Sequence, residues 1–297
     1  MGRTLERAVA ILNGAVGDYL DRTRNGLSTP MCFAALGAPV PMRRQSFSHG
    51  SGRIVILVHG LMNDESVWTG NDGSRDFGSR LSEELGFTPL YVRYNSGLPI
   101  AQNGERLSRL IEETLSLWPR PVEEVLLIGY SMGGLIARSA CHFASEQQSP
   151  WVKRLRRAVY VGTPHRGAPM ERLGKLVTRV LRAVDDPYTR LAAELGDLRS
   201  AGIKDLGDPR HPYPLLSSVA HLLVAGTLSD DPLLAALFGD ALVPLPSATD
   251  GACADPRKRA PAHVRIFSGL GHLELPTSAL VSDAIAAHVR VSKGARQ

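Results

Sequence analysis

The chain has 297 residues, 43% of them apolar and 21% charged, enough for one large α/β domain with insertions or two small ones. A mean hydropathy of -0.06 and a pI near 9.3 describe an ordinary soluble protein with a substantial core. The formal net charge of +5 is scattered apart from Lys153-Arg154-x-Arg156-Arg157 and Arg257-Lys258-Arg259, and no zinc knuckle, basic zipper or RNA-binding strand pair accompanies it, so a nucleic-acid partner is excluded.

From the start of the chain, Leu5, Ala8, Val9, Leu12 and Val16 recur near helical spacing, which predicts an amphipathic helix over residues 4–20. The apolar residues of this stretch are too few for a secretory signal, and no run reaches the roughly 18 apolar residues of a membrane span. Cys32, Cys141 and Cys253 have no metal-ligand spacing, and with no leader they point to a reducing, cytoplasmic compartment. Residues 25–52, rich in Gly, Pro and Ser, read as an irregular lead-in. Domain organisation is therefore expected as 1–52, a helix and lead-in packed on the core, and 53–297, the main domain.

Arg53 to Val58 is a continuous β-branched and apolar strand of the kind buried on both faces in a parallel sheet, and His59-Gly60-Leu61-Met62 ends it. A helix lies within 72–86, followed by a strand at Thr88–Tyr94 and an amphipathic helix marked by Leu107, Leu110, Ile111 and Leu115. Further strands are expected at Val125–Ile128, Arg157–Val161, Leu222–Ala225 and His263–Phe267, the last alternating like an outer strand, with a closing helix through Ala279, Ile285 and Val289. Strands alternating with helices predict a doubly wound, mostly parallel sheet.

Chemistry concentrates where the strand Val125–Ile128 runs into Gly129-Tyr130-Ser131-Met132-Gly133-Gly134 and then a helix-forming run. Strand, G-x-S-x-G and helix in that order form a nucleophile elbow. A sharp turn exposes the Ser131 Oγ, and Gly129 and Gly133 remove Cβ atoms that would collide as strand and helix pack. A nucleophile of this kind needs a base, and chain order places it after the last strand. His142, His263 and His288 sit in helices or at a strand start, whereas His272 lies in the loop Gly269-Leu270-Gly271-His272 and is the expected base. Among Asp230, Asp231, Asp240 and Asp250, Asp240 is favoured by a preceding Gly239 and a following apolar run; it would orient the imidazole. The Gly60 turn and the elbow would together supply oxyanion donors, the backbone N–H groups of Leu61 and Met132.

A long stretch separates Val161 from Leu222, far beyond a connection of about 2–6 residues plus one helix. Leu173, Leu176, Val177, Val180, Leu181 and Val184 follow helical spacing within it, Leu191 to Leu198 suggest a second helix, and Leu233 to Phe238 form a short apolar run before Asp240. A helical cap insertion at about 168–218 is expected, with Val177, Leu181, Leu234 and Phe238 facing an acyl chain; extra core packing is the alternative.

Taken in order, His59-Gly60-Leu61, Gly129-x-Ser131-x-Gly133, Gly162-Thr163-Pro164-His165-x-Gly167, Gly239-Asp240-x-Leu242-Val243-Pro244 and Gly271-His272 resemble the bacterial lipase/esterase branch of the α/β-hydrolase superfamily. The resemblance is nearest to triacylglycerol lipases and the GPI inositol-deacylase (PGAP1-like) hydrolase domain. It implies hydrolysis of a small-molecule or lipid ester through Ser131, Asp240 and His272 without cofactor or metal. An acyltransferase on the same scaffold and a non-catalytic binding module of this fold are the alternatives.

Overall fold

The computed structural model describes residues 3–35, 37–69, 76–183, 200–208, 213–231, 239–251 and 262–291. An eight-stranded sheet carries them, in the order β2-β1-β4-β3-β5-β6-β7-β8. The strands are β1 (Cys32–Ala35), β2 (Ala38–Pro39), β3 (Arg53–Val58), β4 (Thr88–Arg93), β5 (Glu124–Tyr130), β6 (Leu155–Val161), β7 (Ala220–Thr227) and β8 (Ala262–Ser268). From β4 to β8 every neighbour is parallel, and only the pairings of β1, with β4 and with β2, are antiparallel. The sheet is therefore of the mostly parallel, doubly wound type that the alternation of strands and helices predicts.

β3 shows why the central strands carry no polar alternation. Ile54, Ile56 and Val58 join the core on one side of the sheet, while Val55 and Leu57 join the core on the other. Both faces are covered, so a run of branched apolar residues is what the position demands. The first side is closed by α1 (Arg3–Arg22), α3 (Ile100–Leu117) and α4 (Met132–Glu146). The second is closed by α2 (Phe77–Leu85) and the C-terminal helix Ala279–Val291, through Phe77, Leu81, Val281, Ile285 and Val289.

Helix ends are set by local chemistry. Asp76 caps α2 by accepting the Ser79 N–H at 2.9 Å, and Gly86 ends it with a left-handed φ of 72°. The amide of Ile100 at the start of α3 finds its acceptor far away in sequence, the Asp205 carboxylate at 2.8 Å. Asp205 belongs to a short helix, Ala201–Gly207, which packs against both α1 and α5 (Met170–Ala183).

Two expectations meet different outcomes here. Residues 25–52 do not form a wholly irregular lead-in, because β1 pairs with β4 through Cys32 with Arg93, Phe33 with Val92 and Ala34 with Tyr91. Phe33 is completely buried, so tertiary pairing overrides the local turn composition. The amphipathic helix expected from Leu173 onward is α5, with Leu173 buried and Val177 half-buried against the core. The side chain of Leu181, the second helix at 191–198, and Leu234 and Phe238 lie outside the described residues. Among the described residues no helix is long and apolar enough to cross a membrane.

Candidate active site

The parallel strands β3 to β8 end at one side of the sheet, and the segments leaving β5, β7 and β8 supply Ser131, Asp240 and His272, as expected for an open α/β sheet. β5 ends at Tyr130, and Ser131 then takes φ 53° and ψ -123° before α4 begins at Met132. A left-handed φ in a residue with a Cβ costs on the order of 1–3 kcal/mol, and persists only where the surroundings enforce it. Enforcement is visible on both sides: the Ser131 N–H donates to the Val161 carbonyl at 2.8 Å, and the Ser131 carbonyl accepts from Gly134 at 3.1 Å. A Cβ on Gly129 would strike the Gly134 backbone, and one on Gly133 would strike the Val58 and His59 carbonyls. The elbow glycines are thus required by close approach, not by their own φ.

His272 follows β8 and Asp240 follows β7. The imidazole Nδ1 lies 2.7 Å from Asp240 Oδ2, and Nε2 lies 3.0 Å from Ser131 Oγ. A carboxylate can only accept, so Nδ1 carries the proton and the Nε2 lone pair faces the hydroxyl. The other Asp240 oxygen, Oδ1, accepts the backbone N–H groups of Leu242 at 3.1 Å and Val243 at 2.8 Å. A left-handed Gly239 (φ 54°) and Ala241 (φ 77°) flank Asp240 and fold the loop into this nest. Backbone ties complete the assembly: the His272 N–H donates to the Asp240 carbonyl at 3.0 Å, and the Tyr130 hydroxyl donates to the His272 carbonyl at 3.1 Å. Burial raises the Tyr130 pKa, so its phenol stays a donor.

Ser131, Asp240 and His272 are all buried, and the chain brings together the three residues singled out in the sequence. Asp230 and Asp250 stand elsewhere. Asp230 bonds to Ser268, and Asp250 pairs with Arg138 at 3.1 Å. His263 and His288 form a ring pair, 5.6 Å between centroids, at the opposite end of β8 from His272.

The turn after β3 lies directly against the elbow. A Cβ on Gly60 would come within 3.0 Å of the Ser131 Cβ. Met132 is the first residue of α4, so its N–H lies among those with no acceptor within the helix. Leu61 follows Gly60 in this turn, and Met132 follows Ser131 in the chain. His59, fully buried, stacks on Tyr94 at 4.2 Å and holds the Gly60 carbonyl with Nδ1 at 2.9 Å. Burial lowers its pKa, and the bond to Gly60 partly opposes that shift.

A residue not singled out in the sequence ties three of these loops together. Arg138, on α4 and buried, bonds the Tyr213 carbonyl through Nε at 2.7 Å, while its Nη1 reaches His165 Nδ1 at 2.7 Å and Asp250 at 3.1 Å. His165 thus serves a buried network beneath the loops. A guanidinium two helical turns beyond Ser131 carries no local motif, so only the assembled fold reveals it.

Comparisons with known proteins agree with this architecture. Residues 94–234 match the model of the PGAP1-like alpha/beta domain. No curated protein matches. Among solved structures, the mature form of the Bacillus licheniformis lipase BlEst2 aligns with a TM-score of 0.54 at 16% identity, covering 87% of this chain and 98% of that one. The RedJ thioesterase from the prodiginine biosynthetic pathway of Streptomyces coelicolor aligns with a TM-score of 0.53 at 16% identity, covering 87% and 96%. At such identities the likeness speaks for the fold alone.

Proposed function

We propose that this chain, which has the α/β-hydrolase fold and matches the PGAP1-like alpha/beta domain over residues 94–234, is a serine hydrolase that cleaves carboxylic esters. One observation carries the reading: a single imidazole, His272, stands between the Ser131 hydroxyl at 3.0 Å and the Asp240 carboxylate at 2.7 Å. That is the arrangement a weak hydroxyl nucleophile needs, a base within hydrogen-bond reach and a third group orienting the base.

In this mechanism Ser131 Oγ attacks the ester carbonyl carbon while His272 Nε2 takes its proton. The carbonyl oxygen becomes an oxyanion, held by the N–H of Leu61 from the turn after β3 and that of Met132 at the head of α4, where the helix N-terminus also favours negative charge. The intermediate collapses as His272 returns the proton to the departing alcohol, leaving an acyl group on Ser131. Water then attacks that ester with His272 again as base, releasing the acid and restoring the hydroxyl. Asp240 contributes by fixing the tautomer and balancing the imidazolium formed in both halves. Each lost oxyanion donor costs about 10²–10³ in turnover in enzymes of this kind.

Two measurements test the reading together. A fluorophosphonate probe should label the protein once, at Ser131, and Ser131→Ala should abolish labelling and reduce p-nitrophenyl ester hydrolysis to background. Labelling or hydrolysis that survives this substitution refutes the assignment.

A further inference from the structure

The amide proposed as an oxyanion donor, Leu61 N–H, belongs to a strained turn. Met62, next in the chain, is left-handed at φ 59° although it carries a Cβ. Its strain would be relieved by flipping the Leu61–Met62 peptide, which changes ψ of Leu61 and φ of Met62 together. Two side chains oppose the flip: Asn63 Nδ2 donates to the Leu61 carbonyl at 2.9 Å at one end of this peptide, and Ser96 accepts at the other. The Met62 N–H donates to Ser96 Oγ at 3.0 Å, and Ser96 is only 1% exposed. Without the Ser96 hydroxyl the Met62 N–H would lose its acceptor at a buried site, and the turn carrying Leu61 could relax.

Ser96 itself cannot easily follow such a movement. It sits on the loop leaving β4, where Asn95 Nδ2 donates to the Gly17 carbonyl of α1 at 2.8 Å, Asn95 Oδ1 accepts from Gly97 N–H at 3.0 Å, and Asn103 of α3 holds the Asn95 carbonyl at 3.0 Å. On the far side, α1 presses on the turn at Gly14: a Cβ there would lie 2.9 Å from both N and Cα of Met62. The turn is thus held between a fixed hydroxyl and a helix backbone.

We infer that Ser96 is a positioning residue for the oxyanion site, acting through the Met62 N–H to anchor the turn on which the preceding Leu61 presents its own N–H. The inference rests on the serine-hydrolase reading above. Ser96 touches no reacting atom. Its effect falls on the transition state, where the oxyanion draws on the Leu61 amide, and little on ground-state binding of an uncharged ester.

Ser96→Ala is the decisive variant. Counted per active site titrated with fluorophosphonate, kcat on p-nitrophenyl butyrate should fall about tenfold, a fraction of the ~10²–10³ lost with a whole donor, while KM stays within about twofold. Phosphonylation of Ser131 should slow in parallel, because its transition state uses the same amides. Ser96→Thr, which retains the acceptor, should recover most of the loss. A merely structural role would lower the melting temperature and the number of titratable sites, yet leave kcat per site unchanged, and that result overturns the inference. If Ser96→Thr does not fold, the kcat and KM of Ser96→Ala decide alone. A wild-type protein that neither labels nor hydrolyses ester would instead overturn the serine-hydrolase reading, and this one with it.

Discussion

Replacing Asp240 by Asn separates orientation from packing, because the two carboxylate oxygens have different duties. Oδ1 accepts two backbone N–H groups, from Leu242 and Val243, and Oδ2 faces His272 Nδ1 at 2.7 Å. In Asp240→Asn the amide oxygen must take the Oδ1 place, since an NH2 there would confront two donors. The amide nitrogen then points at Nδ1 and offers a proton where the carboxylate accepted one. His272 is forced into the tautomer protonated on Nε2, which presents a donor to Ser131 and cannot act as base. The cost should be about 10⁴ in kcat, equivalent to ~5 kcal/mol of transition-state stabilisation. The melting temperature should change little, because both backbone bonds survive. Asp240→Ala would behave differently, stranding two buried N–H groups at about 1–3 kcal/mol each and lowering stability as well as rate. Steady-state hydrolysis of p-nitrophenyl butyrate and thermal denaturation of both variants are the assays. Near-wild-type turnover in Asp240→Asn, or a comparable loss in Asp250→Asn with Asp240→Asn active, would refute the reasoning.

Two further outcomes are expected. Val177→Asp, placing charge on the half-buried face of α5, should reduce kcat/KM for long-chain esters far more than for acetate; equal losses would mark α5 as core packing only. Stability should fall on acidification through His288, whose pKa is pushed down to about 4 by burial, with neighbouring His263 and Arg157 adding to the effect and the Ala220 carbonyl opposing it. The unfolded chain takes up a proton near pH 6.5 that the folded ring refuses, so this contribution is intact above that pH and declines as pH drops toward 4. Urea titrations between pH 8 and 4 should show the slope, and His288→Gln should flatten it; an unchanged slope would remove His288 as its source.

The sequence is most readable where residues close in the chain settle the structure. β3 and β5 announce themselves by continuous branched apolar runs, since both faces of a central parallel strand are covered. Ser131, Asp240 and His272 stand beside glycines in turns after strands, so chain order and turn chemistry single them out before the hydrogen bonds at 2.7 and 3.0 Å are seen. β1 is not legible in this way. Its four residues lie in a Gly- and Pro-rich stretch and become a strand by pairing with β4, which follows some distance later. Ser96 and Arg138 are hidden for the same reason. Each serves a partner brought near by the fold, Met62 for one and His165 with Asp250 for the other, and nothing adjacent in the chain marks them.

The two ends of the sheet differ in what they offer a second chain. On one, the outermost strand is the two-residue β2, exposed, and one of its two residues is Pro39, which has no N–H to give. A strand so short and so poor in donors cannot template further pairing. On the other, β8 runs seven residues from Ala262 to Ser268 with Ile266 44% exposed. Among the described residues its outer row of amides and carbonyls has no neighbouring strand. Among the described residues, strand addition therefore has one side to use, and an exposed charge stands there in Arg265, beside Ile266. Replacing Arg265 by an apolar residue would leave a more apolar margin on this strand.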